Sequence, residues 1–266
     1  MSKLPFFSAV VLIVLLSTGC SSMQTNIVPE ATIPSIEPSA TALIKIDTQP
    51  TSTSNPTQTL PPTETASPTN TALPPGVIFR DDFDGSLQPG WTWENENKDK
   101  WTFTDDGMLQ IIGQGESLLI ENRQYNLLWL ELPPGEFVVT VHLITKPFQD
   151  FHQAAIFLYE DPKNYVTINR GFCSPCATGG NGFFMDYKVS GAWGDYNYKT
   201  EATDVYLRLE SKGQTISGYF ATEPGNWQRL GRFGNYFTFK KVGLGVSNCR
   251  SSSDVLALFD YFEVSE

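Results

Sequence analysis

Histidine occurs only twice in the 266 residues and cysteine only four times. Neither His142 nor His152 has a serine or cysteine beside it in a nucleophile motif, so a Ser–His or Cys–His hydrolase has no support in the sequence. Basic residues are scarce as well: Lys plus Arg total 18 against 29 Asp plus Glu, a formal net charge of −11. No Lys/Arg cluster exists to neutralise backbone phosphates, which excludes nucleic acid as the main partner. Aromatic residues are missing from one long stretch, since all six Trp, all ten Tyr and every Phe except Phe6 and Phe7 lie after residue 78. No segment carries a sustained helical period, and no internal repeat is evident.

These absences divide the chain. The apolar surface needed to offset chain entropy lies in residues 77–266, with 25 acidic and 16 basic residues, a stretch long enough for one well-buried core. Residues 21–76 are rich in Thr, Ser and Pro, as in TQPTSTSNPTQTLPPTETASPTNTALPP, and cannot make a core. They are expected to form a disordered, extended tether. Residues 1–20 carry Lys3, the apolar run FFSAVVLIVLLS and then Thr18-Gly19-Cys20. This resembles a bacterial lipoprotein signal peptide, with Cys20 as the residue to be acylated, although Ser17 holds the place usually taken by Leu. An ordinary signal peptide cut near Ser17–Gly19 and an uncleaved anchor are the alternatives. All three export the domain.

Strand-like segments with turn signals between them fill residues 77–266. They include Trp101–Thr104, Met108–Ile112, Ser117–Glu121, Phe137–Ile144, Phe183–Val189, Val205–Glu210, Ile216–Ala221, Trp227–Leu230, Val242–Ser247 and Val255–Val264. The clearest feature is the stretch Gln153–Arg170, QAAIFLYEDPKNYVTINR, two alternating arms joined by the turn Asp161-Pro162-Lys163-Asn164. In its second arm Val166 and Ile168 face a core, while Tyr165, Thr167 and Asn169 form the opposite, polar face. The fold class is all-β, a sandwich or jelly roll.

The opening FRDDFDG with PGWTW, then DDGMLQI, the hairpin, DVYLRLESKGQTISGYFATEPGNWQRLG, and VGLGV leading to LALFDYFEV together resemble one family. It is the concanavalin A-like jelly-roll domain found at the C-terminus of β-xylosidases and in free-standing bacterial exported proteins. The resemblance implies two antiparallel sheets and a link to carbohydrate recognition. A catalytic domain is not expected within residues 1–76, and the loop GFCSPCATGGNG is a departure from the pattern.

Sugars are gripped by aromatic faces and by planar polar groups. Tyr165, Thr167 and Asn169 on the hairpin, Asp186 on FFMDYKV, and Trp193, Tyr196 and Tyr198 in GAWGDYNYK, read as a loop, are the candidate ligand-binding residues. Aromatic residues also rim sandwiches merely because they are amphipathic. Asp82 and Asp84 on the first turn and Asp260 near the last strand are candidate ligands for a structural calcium, since terminal strands of jelly rolls are neighbours. The resemblance points to Asp260 in FDYF for the same role. Of the cysteines, Cys173 and Cys176 can pair with each other, or one of them with Cys249. No E-x-D-x-x-E stretch, the arrangement of jelly-roll glucanases, occurs. The expectation is an exported, lipid-anchored protein on the extracellular face of the membrane that binds carbohydrate without catalysis. A glycoside-directed hydrolase and a structural or adhesion module with no sugar ligand are the alternatives.

Overall fold

The computed structural model describes residues 73–115, 125–132 and 134–266. The signal segment with Cys20, the tether over residues 21–72 and the segment Ser117–Glu121 lie outside the described residues.

Two antiparallel sheets make up the described part. One runs β13 (Gln228–Gly234), β12 (Thr215–Ala221), β11 (Asp204–Lys212), β6 (Phe137–Thr145), β15 (Leu256–Ser265), β4 (Leu109–Ile112) and β3 (Trp101–Phe103). The first strand, β1 (Val77–Asp81), joins the same sheet by pairing with β15. The other runs β10 (Ala192–Lys199), β9 (Gly180–Val189), β8 (Asn164–Cys173), β7 (Gln153–Asp161), β14 (Lys241–Ser247), β5 (Leu127–Glu131) and β2 (Thr92–Glu94). A single 3-10 turn, Lys98–Lys100, is the one helical element among the described residues.

The alternation seen in the sequence decides which residues pack between the sheets. Val139, Val141, Leu143, Leu207, Leu209 and Phe259 of the first sheet meet Ile156, Leu158, Val166, Ile168, Phe183 and Met185 of the second, all buried. The hairpin at the centre of the second sheet is held at its turn by Asp161, which accepts from the Lys163 amide at 2.7 Å and the Asn164 side chain at 3.0 Å. The first and last strands are neighbours, as expected of a jelly roll. A register shift between Phe259 and Tyr261 leaves Asp260 in a bulge. Asp81 is buried at the end of β1 and accepts from the amides of Phe83 and Gln88 and from Trp91 Nε1, so its carboxylate pins the turn that follows.

A second, smaller apolar cluster of Leu127, Trp129, Ala155, Phe157 and Tyr165 lies on the outer face of the seven-stranded sheet. Gly243 makes it possible. A Cβ there would meet Phe157 at 2.6 Å and Trp129 at 2.7 Å, so only glycine lets both rings lie across β14. β5 was not among the strands expected from the sequence, because LLWLELPP is a continuous apolar run without the alternation that marks a half-exposed strand.

Candidate functional site

Cross-strand pairing sets the outer face of the seven-stranded sheet in rows. In one row Trp193 of β10 stands opposite Lys188 of β9, Lys188 opposite Tyr165 of β8, Tyr165 opposite Tyr159 of β7, and Tyr159 opposite Lys241 of β14. The next row runs Asp195, Asp186, Thr167, Phe157 and Gly243. The third runs Asn197, Phe184, Asn169 and Ala155. Five of the seven candidate ligand residues, Tyr165, Thr167, Asn169, Asp186 and Trp193, therefore share one face.

Their environments differ. Tyr165, Thr167 and Asn169 are buried at 6, 5 and 2% exposure and form a floor, whereas Trp193 is 58% exposed and stands proud of it. Asn169 Nδ2 donates to Asp186 Oδ2 at 3.3 Å, and Asn197 Nδ2 donates to Asp195 Oδ2 at 3.1 Å. Asp186 sits deep, with part of its surface still open to water. Burial, and then the Asp195 carboxylate opposite, push its pKa up to about 7, against which the Asn169 hydrogen bond works. Burial and the nearby Asp186 also push the Tyr165 phenol up to about 12, so it remains an O–H donor at neutral pH. Two ammonium groups lie on the floor aromatics: Lys188 Nζ is 5.4 Å from the Tyr165 ring centre, and Lys241 Nζ is 3.9 Å from that of Trp129 and 5.0 Å from that of Tyr159. Lys241 also reaches Glu94 at 3.6 Å, which in turn accepts from Trp129 Nε1 at 2.8 Å.

The stretch GAWGDYNYK is a correction to the sequence reading. It is not a loop but the edge strand β10, paired with β9 over its whole length. Strand alternation then separates its aromatics. Tyr196 turns the other way, over Gly231, and donates its hydroxyl to the Arg232 carbonyl at 2.7 Å, while Tyr198 packs against Phe220 at 4.9 Å. Neither shares the face of Trp193.

The model of the family described as the β-xylosidase C-terminal concanavalin A-like domain matches residues 80–265. The chain belongs to this family. Among solved structures, the fold is similar to part of the GH43 protein BlXynB from Bacillus licheniformis, with a TM-score of 0.62 and 21% identity over 70% of this chain and 39% of that one. A xylan β-1,4-xylosidase from Bacillus halodurans follows at 0.58 and 21%, with the same shares of 70% and 39%. A Bacillus licheniformis β-glucanase is similar at 0.51 and 11%, over 71% of this chain and 97% of that one. At such identities the likeness is one of fold. The chain spans about two fifths of the length of BlXynB and of the Bacillus halodurans xylosidase. A search of curated proteins found no match.

In this member of the xylosidase C-terminal domain family, the remaining candidates are distributed as follows. Cys173 and Cys176 are joined to each other across the turn after β8, rather than either being joined to Cys249. Among the described residues no cysteine is a free thiol. The pairing closes the loop that departs from the family pattern, and Ser174 within it donates to Asp150 through its amide and its hydroxyl. The three carboxylates expected to hold calcium have separate side-chain partners. Asp82 is taken up by Arg80 at 2.6 Å, and Asp260 lies 2.8 Å from His142 Nδ1, with Asp204 2.7 Å from the other ring nitrogen. Asp84 instead lies against Gly107. Among the described residues no group of three or more His, Cys, Asp or Glu side chains is placed to hold a metal ion. The bulge at Asp260, invisible in sequence, aims that carboxylate across its own sheet.

One contact the sequence hid is between His152 and Ser251, whose Nε2 and Oγ are 2.8 Å apart. Ser251 Oγ donates in turn to the Ser253 carbonyl at 2.8 Å, which commits its hydrogen and makes the imidazole the donor. His152 is fully buried, and burial lowers its pKa, so the ring is neutral. The pair joins two loops; it is not a base poised on a nucleophile.

Proposed function

We propose that this domain binds carbohydrate, without catalysis, on the outer face of its seven-stranded sheet. The observation that carries the reading is Trp193: a large aromatic left 58% exposed on a strand, beside the hydrogen-bonding row of Asp195, Asp186 and Thr167. An exposed ring offers a stacking face, and planar polar groups next to it offer directional hydrogen bonds. Solved structures that share the fold carry the names xylan β-1,4-xylosidase and β-glucanase, which favours a saccharide as ligand. The lipoprotein-like residues 1–20 and the Ser/Thr/Pro-rich stretch after them support display from a membrane through an acylated Cys20, with the tether setting the distance. The test is affinity electrophoresis of the chain against a panel of soluble polysaccharides. Retention that is lost in Trp193→Ala supports the reading, and absence of retention by every polysaccharide removes it.

A second reading, glycoside hydrolysis, is favoured by one observation. Asp186 and Asp195 are direct cross-strand neighbours, and one of them has a pKa near 7, as in pairs that divide acid and base roles. Release of reducing sugar that survives Trp193→Ala and disappears in Asp186→Asn would establish it in place of pure binding.

A further inference from the structure

The aromatic floor is already partly covered. Lys188 lies over Tyr165, and Lys241 lies over Trp129 and Tyr159, so the ring faces on which an uncharged sugar would stack are capped by ammonium groups. The two lysines are not equivalent. Lys241 has a carboxylate near it in Glu94, whereas Lys188 has no ion pair among the described residues. The carboxylates closest to it in register are engaged elsewhere, Asp195 with Asn197 and Asp186 with Asn169. Asp186 retains its proton to about pH 7, which lowers the negative charge beside the lysine. Lys188 also stands directly opposite the exposed Trp193. Side chains at such positions on antiparallel strands lie side by side. A pyranose ring stacked on Trp193 therefore has its edge next to an ammonium group that makes no ion pair among the described residues.

We propose that this face recognises a saccharide bearing a carboxylate, a uronic-acid-containing glycan, with Trp193 stacking the sugar ring and Lys188 pairing with its carboxylate. The inference rests on the carbohydrate-binding reading and narrows it to an acidic class of ligand. Charge complementarity selects the occupant: a neutral sugar leaves Lys188 unpaired, and an amino sugar would place a second cation against it.

The experiment is affinity electrophoresis of the full chain in gels containing a uronate-substituted xylan, or the same polymer after its carboxyl groups are reduced to alcohols. Neutral xylan and β-glucan gels run alongside. Retention on the uronate form is expected to weaken about tenfold on carboxyl reduction and in Lys188→Ala, to persist in Lys188→Arg, and to fade as salt rises to about 0.5 M. An unchanged melting temperature in Lys188→Ala shows that the loss is not one of folding. Equal retention of the chain by the uronate and reduced polymers overturns the uronate assignment and leaves carbohydrate binding standing. Full retention in Lys188→Ala overturns the role of that lysine. If no polymer retains the chain, the binding reading fails and this inference falls with it.

Discussion

Replacing Asp186 by Asn removes the buried negative charge on the outer face while keeping the shape of the side chain, and its effect should depend on pH in a defined direction. In the unfolded chain the carboxyl ionises near its ordinary value of 3.8; in the folded protein burial and Asp195 hold it to about 7. Between those two values the folded state binds the extra proton. Stability therefore falls as pH rises through that window, and below it both states are protonated and the penalty vanishes. Converted directly, the displacement corresponds to at most about 4 kcal/mol, and partial solvent access trims the expectation to roughly 2 kcal/mol. Asp186→Asn should come close to the wild type in stability at pH 4, near the lower edge of the window, and exceed it by about 2 kcal/mol at pH 8, a melting-temperature gain of roughly 4–8 °C. Urea unfolding of both proteins at half-unit steps of pH measures it. A stability difference that stays constant from pH 4 to pH 8 would refute the reasoning, because it would mean that Asp186 ionises normally in the fold.

Arg170, only 1% exposed, donates to the carbonyls of Ala202 at 2.6 Å and Gly171 at 2.7 Å and to Asn181 Oδ1 at 3.0 Å. Arg170→Met strands these acceptors and should cost about 3 kcal/mol, seen as a drop of roughly 6–12 °C in melting temperature; an unchanged value would show that water replaces the guanidinium. Because Arg80 and His142 occupy Asp82 and Asp260, dialysis against EDTA should leave thermal unfolding unchanged. A fall in melting temperature restored by calcium would reveal a site that these side chains do not account for.

The hairpin Gln153–Arg170 was legible in the sequence because its period-2 pattern and its Asp-Pro-Lys-Asn turn point to the same structure. So was the division of Tyr165, Thr167 and Asn169 from Val166 and Ile168. What stayed hidden depends on pairing between distant segments. β10 looked like a loop since its glycines, aromatics and polar residues lack an apolar stripe; as an edge strand it has little need of one. The positions of Lys188 and Lys241 over aromatic rings, the bulge at Asp260 and the contact of His152 with Ser251 all join residues on different strands or loops. No local pattern encodes them. The opposition of Asp195 and Asp186 follows from the β9–β10 register, which is set by the turn at Ser190 and Gly191.

Binding of a soluble polysaccharide by wild type and Trp193→Ala, with Tyr236→Ala as control, tests the central claim most directly. Tyr236 is 78% exposed but lies beyond the end of β13, its ring against Gly234 of that strand, which belongs to the other sheet. Isothermal titration should show binding by wild type and Tyr236→Ala, and a loss of about tenfold or more in affinity for Trp193→Ala at unchanged melting temperature. Equal affinity in all three proteins would contradict the account, placing any sugar site elsewhere on the domain.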